Sequence, residues 1–153
     1  MRGVAIVAAM LAAVAVAGGA LATPGGGITD VISFAQGRTT EGVHANADGV
    51  RLKTKGRVDT FFQTGTFQPG GTSGWHSHSG IVVIAVKSGE LTRYDKKCRA
   101  TTFGAGETFV EHGDHPVLVR NEGAEPAVIY SVYILPDANL RRIDEPNPGC
   151  PAQ

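Results

Sequence analysis

From residue 28 onward, no stretch of this chain sustains the apolar period of a helix face over three turns. Short runs of β-branched and aromatic residues alternate instead with turns built from Gly, Pro and Asp. The runs predict strands over 28–36, 50–55, 58–67, 81–87, 90–94, 101–103, 108–110, 116–120 and 127–135. Turn signals separate them: Gln68-Pro69-Gly70-Gly71, Ser88-Gly89, Gly104-Ala105-Gly106 and Asn121-Glu122-Gly123. A parallel α/β sheet needs helical crossovers, and the sequence has no room for them. The fold class is therefore all-β, an antiparallel sandwich or jelly-roll barrel. Ile81-Val82-Val83-Ile84-Ala85-Val86 is apolar on both strand faces. That suits a strand between a filled interior and a second sheet or partner chain, and it permits a homodimer.

Residues 1–22 are of another kind. Arg2 precedes an uncharged stretch of Ala, Val, Ile, Leu and Met, then Gly18-Gly19 and the small-x-small site Ala20-Leu21-Ala22. This is the pattern of a cleaved signal peptide, an N-terminal signal helix that precedes the barrel. Residues 23–27 read as a linker, 28–144 as one barrel and 145–153 as a tail. The expected localisation is secretion, with no membrane span left after cleavage. The alternative is a membrane anchor formed by an uncleaved signal, but Ala and Gly gain little from hydrocarbon.

A chain of 153 residues has length for one core rather than two. Its 14 basic and 14 acidic side chains leave no basic field, which excludes nucleic acid as a partner. Cys98 and Cys150 both fall in the exported part. An even pair in an oxidising compartment reads as a disulfide. The alternative, a thiolate at Cys98 favoured by Lys96, Lys97 and Arg99, has no general base beside it.

The chemistry concentrates in Gly70-Gly71-Thr72-Ser73-Gly74-Trp75-His76-Ser77-His78. In an extended strand, residues two apart share a face, so His76 and His78 present two imidazoles to one metal ion. A pair of surface histidines in a Ser/Gly loop is the alternative. His44 has no partner spacing and reads as a surface residue. Asp59, Glu90 and Glu107 read as solvated, and Asp137, Asp144, Glu145, Arg141 and Arg142 as surface ion pairs. There is no GxSxG, CxxC or HExxH, and no catalytic residue or organic cofactor is assigned.

The segment resembles the first motif of the cupin superfamily: G, five residues, HxH, three or four residues, E, six residues, G. Gly70 stands six before His76, and Gly89 closes the following strand. The second motif, G, five residues, PxG, two residues, H, three residues, N, is matched loosely by Gly106-Glu107-Thr108-Phe109-Val110, Gly113 and Asn121. The order over residues 70–135 is that of the family. The chain is similar in particular to a group of small exported single-domain cupins. Gly74-Trp75-His76, Val86-Lys87-Ser88-Gly89, Arg120-Asn121-Glu122-Gly123 and the ending Ile143-Asp144-Glu145-Pro146-Asn147-Pro148-Gly149-Cys150 carry that likeness. The resemblance implies an RmlC-like double-stranded β-helix, a jelly-roll barrel.

Two departures bear on the ligand set. Val82 stands where the family has its glutamate, and Val117 where it has its last histidine. The expected metal ligands are therefore His76, His78 and a displaced His115, two residues back from Val117. At ~3.3 Å per residue His115 is ~6.6 Å away along the strand, so the substitution needs a bulge or register shift near Pro116. His112 and Glu111, on the loop before that strand, are further options. Val82, Ile84, Val117 and Val119 form an apolar pocket floor with His76 and His78 at the rim. Phe62, Phe67, Trp75, Tyr94 and Tyr130 are candidates for its walls.

The resulting expectation is an exported barrel that binds a small-molecule ligand and a divalent metal (Fe, Mn, Zn, Ni or Cu) through its His-x-His motif. The alternatives are a metal-dependent cupin enzyme of oxygenase, isomerase or decarboxylase type, and a metal-free structural or interaction barrel. The missing carboxylate at Val82 argues against the two-His-one-carboxylate arrangement of non-haem iron enzymes.

Overall fold

The computed structural model describes residues 22–113 and 115–151. The expected signal helix falls on residues 1–21 and lies outside the described residues. The strands are β1 (Gly26–Arg38), β2 (His44–Ala47), β3 (Val50–Lys53), β4 (Asp59–Thr72), β5 (His76–Ser77) and β6 (Ile81–Ser88). After them come β7 (Glu90–Asp95), β8 (Ala100–Gly104), β9 (Thr108–His112), β10 (Val117–Arg120), β11 (Ala127–Leu135) and β12 (Ile143–Asp144). The one helical element among the described residues is a 3₁₀ turn, Ala138–Leu140. Its first turn is capped by Asp137, whose carboxylate accepts from Asn139 N at 2.8 Å.

Ten strands form one antiparallel sheet that curls into a nearly closed jelly-roll barrel, with neighbours in the order β12-β5-β10-β4-β11-β6-β9. β1 pairs β4, and β7 bridges β10 to β8. The β2–β3 hairpin stands apart as a two-stranded sheet. β3 stops at Lys53 rather than at residue 55, because Thr54 Oγ1 accepts from Val43 N and donates to Gly56 O.

β4 is the strand that joins the two halves. Residues 59–67 lie between β1 and β11, ending at the pair Phe67–Ala127. The turn expected at Gln68-Pro69-Gly70-Gly71 is instead a bend inside β4, after which Thr72 pairs with Arg120 of β10. Two backbone hydrogen bonds of 2.9 Å, Gly70 N to Asn121 O and Asn121 N to Gly71 O, carry the chain across the bend. Gly71 has to be glycine there, since a Cβ would lie 2.5 Å from Gly27 O.

Alternation along the strands sorts the core. On β6, Val82, Ile84 and Val86 are buried while Ile81 is exposed. They pack with Phe67, Leu91, Phe109, Val119 and Ala127 in the barrel interior. Each large buried side chain stabilises the fold by about 1.5–3 kcal/mol. A second cluster of Trp75, Leu118 and Cys150, with Tyr94 against it, lies under the C-terminal tail. The expected Cys98–Cys150 disulfide is formed, with Cα atoms 5.4 Å apart.

Both chain ends dress β5. β12 pairs it in the register Ile143–Ser77 and Asp144–His76. Just before β5, Trp75 N donates to Thr23 Oγ1 at 2.8 Å, and Thr23 N donates to Glu145 O at 3.3 Å. Gly74, at φ +67°, lets this segment approach: a Cβ would sit 2.1 Å from Thr23 O.

Two readings of individual residues need correction. Asp59 is buried rather than solvated, because it forms a two-pronged ion pair with Arg38 and accepts from Ala138 N at 3.1 Å. Phe62 and Tyr130 lie on the outer face of the sheet around Phe34 and are more exposed than buried in character. They form no pocket wall.

Candidate metal centre

β5 is short and extended, so His76 and His78 project to the same side, as their spacing requires. Both are buried, each at 5% exposure, and lie inside the barrel rather than at its rim. Their rings meet edge to face with centroids 4.9 Å apart. The third member is Glu111 on β9, also buried. Its Oε2 lies 2.8 Å from His78 Nε2 and 3.4 Å from His76 Nε2.

The remaining ring nitrogens are held by backbone carbonyls. His76 Nδ1 donates to Gly74 O at 3.0 Å, and His78 Nδ1 donates to Arg141 O at 2.6 Å. A carbonyl can only accept, so both Nδ1 atoms carry the proton. A neutral imidazole in that tautomer offers a lone pair at Nε2. Two such lone pairs aimed at one carboxylate oxygen, with no donor among them, repel each other. The arrangement is stable only with positive charge at the Nε2 atoms, supplied by protons or by a cation.

The donor set fits a metal ion. One candidate ligand atom from each residue lies within 4.8 Å of the other two. Bonds of ~2.1 Å meeting at octahedral or tetrahedral angles put neighbouring donors ~3.0–3.4 Å apart, close to the Nε2–Oε2 spacings. Nδ1–H bonds to carbonyls are the support that metal-ligating histidines require. Burial by itself would raise the Glu111 carboxyl, but the hydrogen bonds and charges of His76 and His78 outweigh it and hold it at about 2.

Glu111 reaches this place through strand register. Opposite it on β6 stands Val82, where the family's glutamate is expected. The carboxylate has crossed to the adjacent strand. β9 runs to His112 rather than ending at Val110, and Phe109 and Glu111 take its inward positions. Glu111 was an option on a loop by sequence, and the parity with Phe109 is the signal that identifies it. The carboxylate judged missing is present, so the donor set is two histidines and one carboxylate after all.

His115 is not brought to the cluster. Its ring lies 4.6 Å from that of His112, and both line a separate cleft with Lys96, Lys97 and Arg99. Val117 begins β10 opposite His76 but lines that cleft rather than the cavity floor. Trp75 and Tyr94 pack under the tail, so of the five aromatic candidates Phe67 alone lines the cavity.

A cavity of about 290 Å³ opens on the three ligands. Val82, Ile84, Val119, Phe109 and Ile129 make it largely apolar. Its polar lining includes Ser73, Gln63, Ser131 and Tyr133, and at the C-terminal segment Arg141 and Arg142. The Tyr133 ring packs 5.8 Å from the His78 ring. Burial and the Glu111 charge push its phenol up, against the pull of the two arginines, so it is a neutral donor.

Residues 63–133 match the family model of the cupin domain. No curated protein matches the chain. Among solved structures it is similar to an uncharacterized conserved protein with a double-stranded β-helix domain from Klebsiella pneumoniae, at 22% identity and a TM-score of 0.50, covering 69% of this chain and 86% of that one. It is similar to the DMSP lyases RdDddP and RnDddQII at 16% identity and a TM-score of 0.51. That match covers 56% of this chain and less than half, 44%, of the other. The polyketide cyclase RemF from Streptomyces resistomycificus matches at 16% identity and a TM-score of 0.49, over 58% of this chain and 64% of its own. The first two of these likenesses show the fold.

Proposed function

From membership of the cupin superfamily, to which this chain belongs, we propose that it is an exported barrel holding one divalent metal ion on His76, His78 and Glu111, with a small molecule bound above it. The observation that carries this reading is the pair of Nδ1–H···O=C bonds, which turns both Nε2 lone pairs toward the Glu111 carboxylate. Two imidazoles and a carboxylate accept Fe, Mn, Zn, Ni or Cu. The Cys98–Cys150 disulfide supports export, since such bonds persist in oxidising compartments.

A catalytic reading is favoured by one feature. Three protein donors leave further coordination positions facing a cavity, which is how catalytic metal sites differ from closed structural ones. A metal there supplies Lewis-acid or redox chemistry. The chain's own residues orient the ligands, exclude water with apolar walls, and offer the Tyr133 phenol as a proton donor.

Calorimetric titration of chelator-treated protein with Mn²⁺, Fe²⁺ under nitrogen, Zn²⁺, Ni²⁺ and Cu²⁺ tests the reading. One equivalent per chain is expected for at least one ion, lost in His76→Ala and Glu111→Gln and kept in His115→Ala. No stoichiometric binding of any ion, or binding that survives Glu111→Gln, contradicts it.

A further inference from the structure

The three ligands and the cavity above them do not account for the two guanidinium groups on the cavity wall. Among the described residues lining the cavity, the permanently charged side chains are Glu111, Arg141 and Arg142. Glu111 is turned to the histidine pair. Arg142 is committed elsewhere: its Nε donates to Asp144 at 2.7 Å and its Nη2 to Ser73 O at 2.7 Å. Arg141 is different. It is half-buried, its guanidinium lies over the Phe61 ring at 5.4 Å, and Nη1 reaches Ser33 Oγ at 3.4 Å. Among the described residues it has no carboxylate partner.

Its placement is not a surface accident. The Arg141 carbonyl is the acceptor that holds His78, so the backbone from which its side chain departs is tied to the metal ligand itself. Arg141 thus joins the metal end through its backbone and lines the cavity, with its guanidinium over Phe61 and beside Ser33. A cationic fork in a half-buried, largely apolar site without its own anion is costly unless a ligand brings the negative charge. The rest of the lining combines apolar side chains such as Ile28, Phe67 and Ile129 with the neutral groups of Gln63, Ser73, Ser131 and Tyr133, and it offers no further uncommitted cation for a multiply charged anion. A volume of about 290 Å³ is at the small end of ligand sites.

We infer that the ligand is a small monocarboxylate with an aliphatic or aryl tail, its carboxylate held by Arg141 beside the metal centre and its tail in the barrel. The planar, one-carboxylate geometry is the match for a single guanidinium fork. The inference rests on the metal reading for where the head group lies, and on Arg141 for its charge. Arg141 is thus a specificity-determining residue.

The test uses butyrate and benzoate as probes against butyramide, benzamide and n-butylamine. Binding is followed by calorimetry on the full mature protein, with and without added Zn²⁺, and zinc content is measured in parallel. Wild type is expected to bind the carboxylates at least about tenfold more tightly than the amides and to reject the amine. Arg141→Gln is expected to lose that preference while Arg141→Lys keeps part of it, with zinc content and melting temperature unchanged in both. Equal binding of amide and carboxylate, or a preference that survives Arg141→Gln, overturns the inference whatever the zinc content. A preference that depends on Arg141 in protein that takes up no zinc upholds the role of Arg141 independently of the metal reading, which the titration with the other ions decides.

Discussion

Val82 on β6 and Glu111 on β9 are direct cross-strand partners, so the carboxylate that the cupin pattern puts at one stands at the other. Cβ atoms of such partners are ~4.5–5.5 Å apart. Both residues line the cavity with His76 and His78.

The carboxylate is therefore expected to work from either strand. Glu111→Val abolishes metal uptake. Adding Val82→Glu to it restores uptake to at least a detectable fraction of one equivalent, measured by elemental analysis after gel filtration. A double variant as empty as the single one refutes the equivalence of the two positions.

The C-terminal segment should set metal affinity although it supplies no ligand. Arg141 O holds His78, Asp144 pairs with His76, and Ser77 Oγ donates to Glu145 at 2.7 Å. The disulfide to Cys98 fastens that segment. Replacing both cysteines by alanine is expected to weaken metal binding about tenfold to a hundredfold, the range for lost support of a ligating histidine. It should also cost about 4 kcal/mol of stability on the chain-entropy model. Unchanged affinity in a folded double variant speaks against a positioning role.

Asn121 is fully buried and ties three segments together. Its amide donates to Phe67 O at 2.9 Å and Glu125 O at 2.8 Å, and its carbonyl accepts from Gly123 N at 2.9 Å. Asn121→Leu strands these groups and is expected to cost about 3 kcal/mol or more, read from the denaturation midpoint. A loss below about 1 kcal/mol counts against the account of the β4 bend.

How much of this could be read from the sequence depended on range. Strand 127–135 matches β11 to the residue, and the both-faces apolar run at 81–86 is β6, because period-two patterning is local. The β4 bend was read as a turn, since Gln68-Pro69-Gly70-Gly71 has turn composition and the partners that keep it extended, Asn121 and Gly27, are far along the chain. His76 and His78 were visible because their spacing lies within one strand. Glu111 was visible only as an option on a loop and Arg141 only as a surface ion pair, because each joins the site through contacts with elements distant in sequence. The same holds for Asp59, buried against Arg38 across 21 positions.

Acid should expose the Glu111 interaction. Its carboxyl is held at about 2 in the fold against 4.5 ordinarily. A folded value below the unfolded one contributes stability in full above about pH 4.5, lost as pH falls toward 2. The melting temperature of metal-free protein should therefore drop more steeply over that window than that of Glu111→Gln. Parallel slopes contradict the pairing of this carboxylate with the two histidines.

The most direct test of the centre is the metal K-edge X-ray absorption spectrum of the protein loaded with one equivalent of Zn²⁺. Two imidazoles with oxygen donors completing the shell are expected, unchanged in His115→Ala. Three imidazoles, which would bring His115 back, or a shell of oxygen alone, would contradict the assignment to His76, His78 and Glu111.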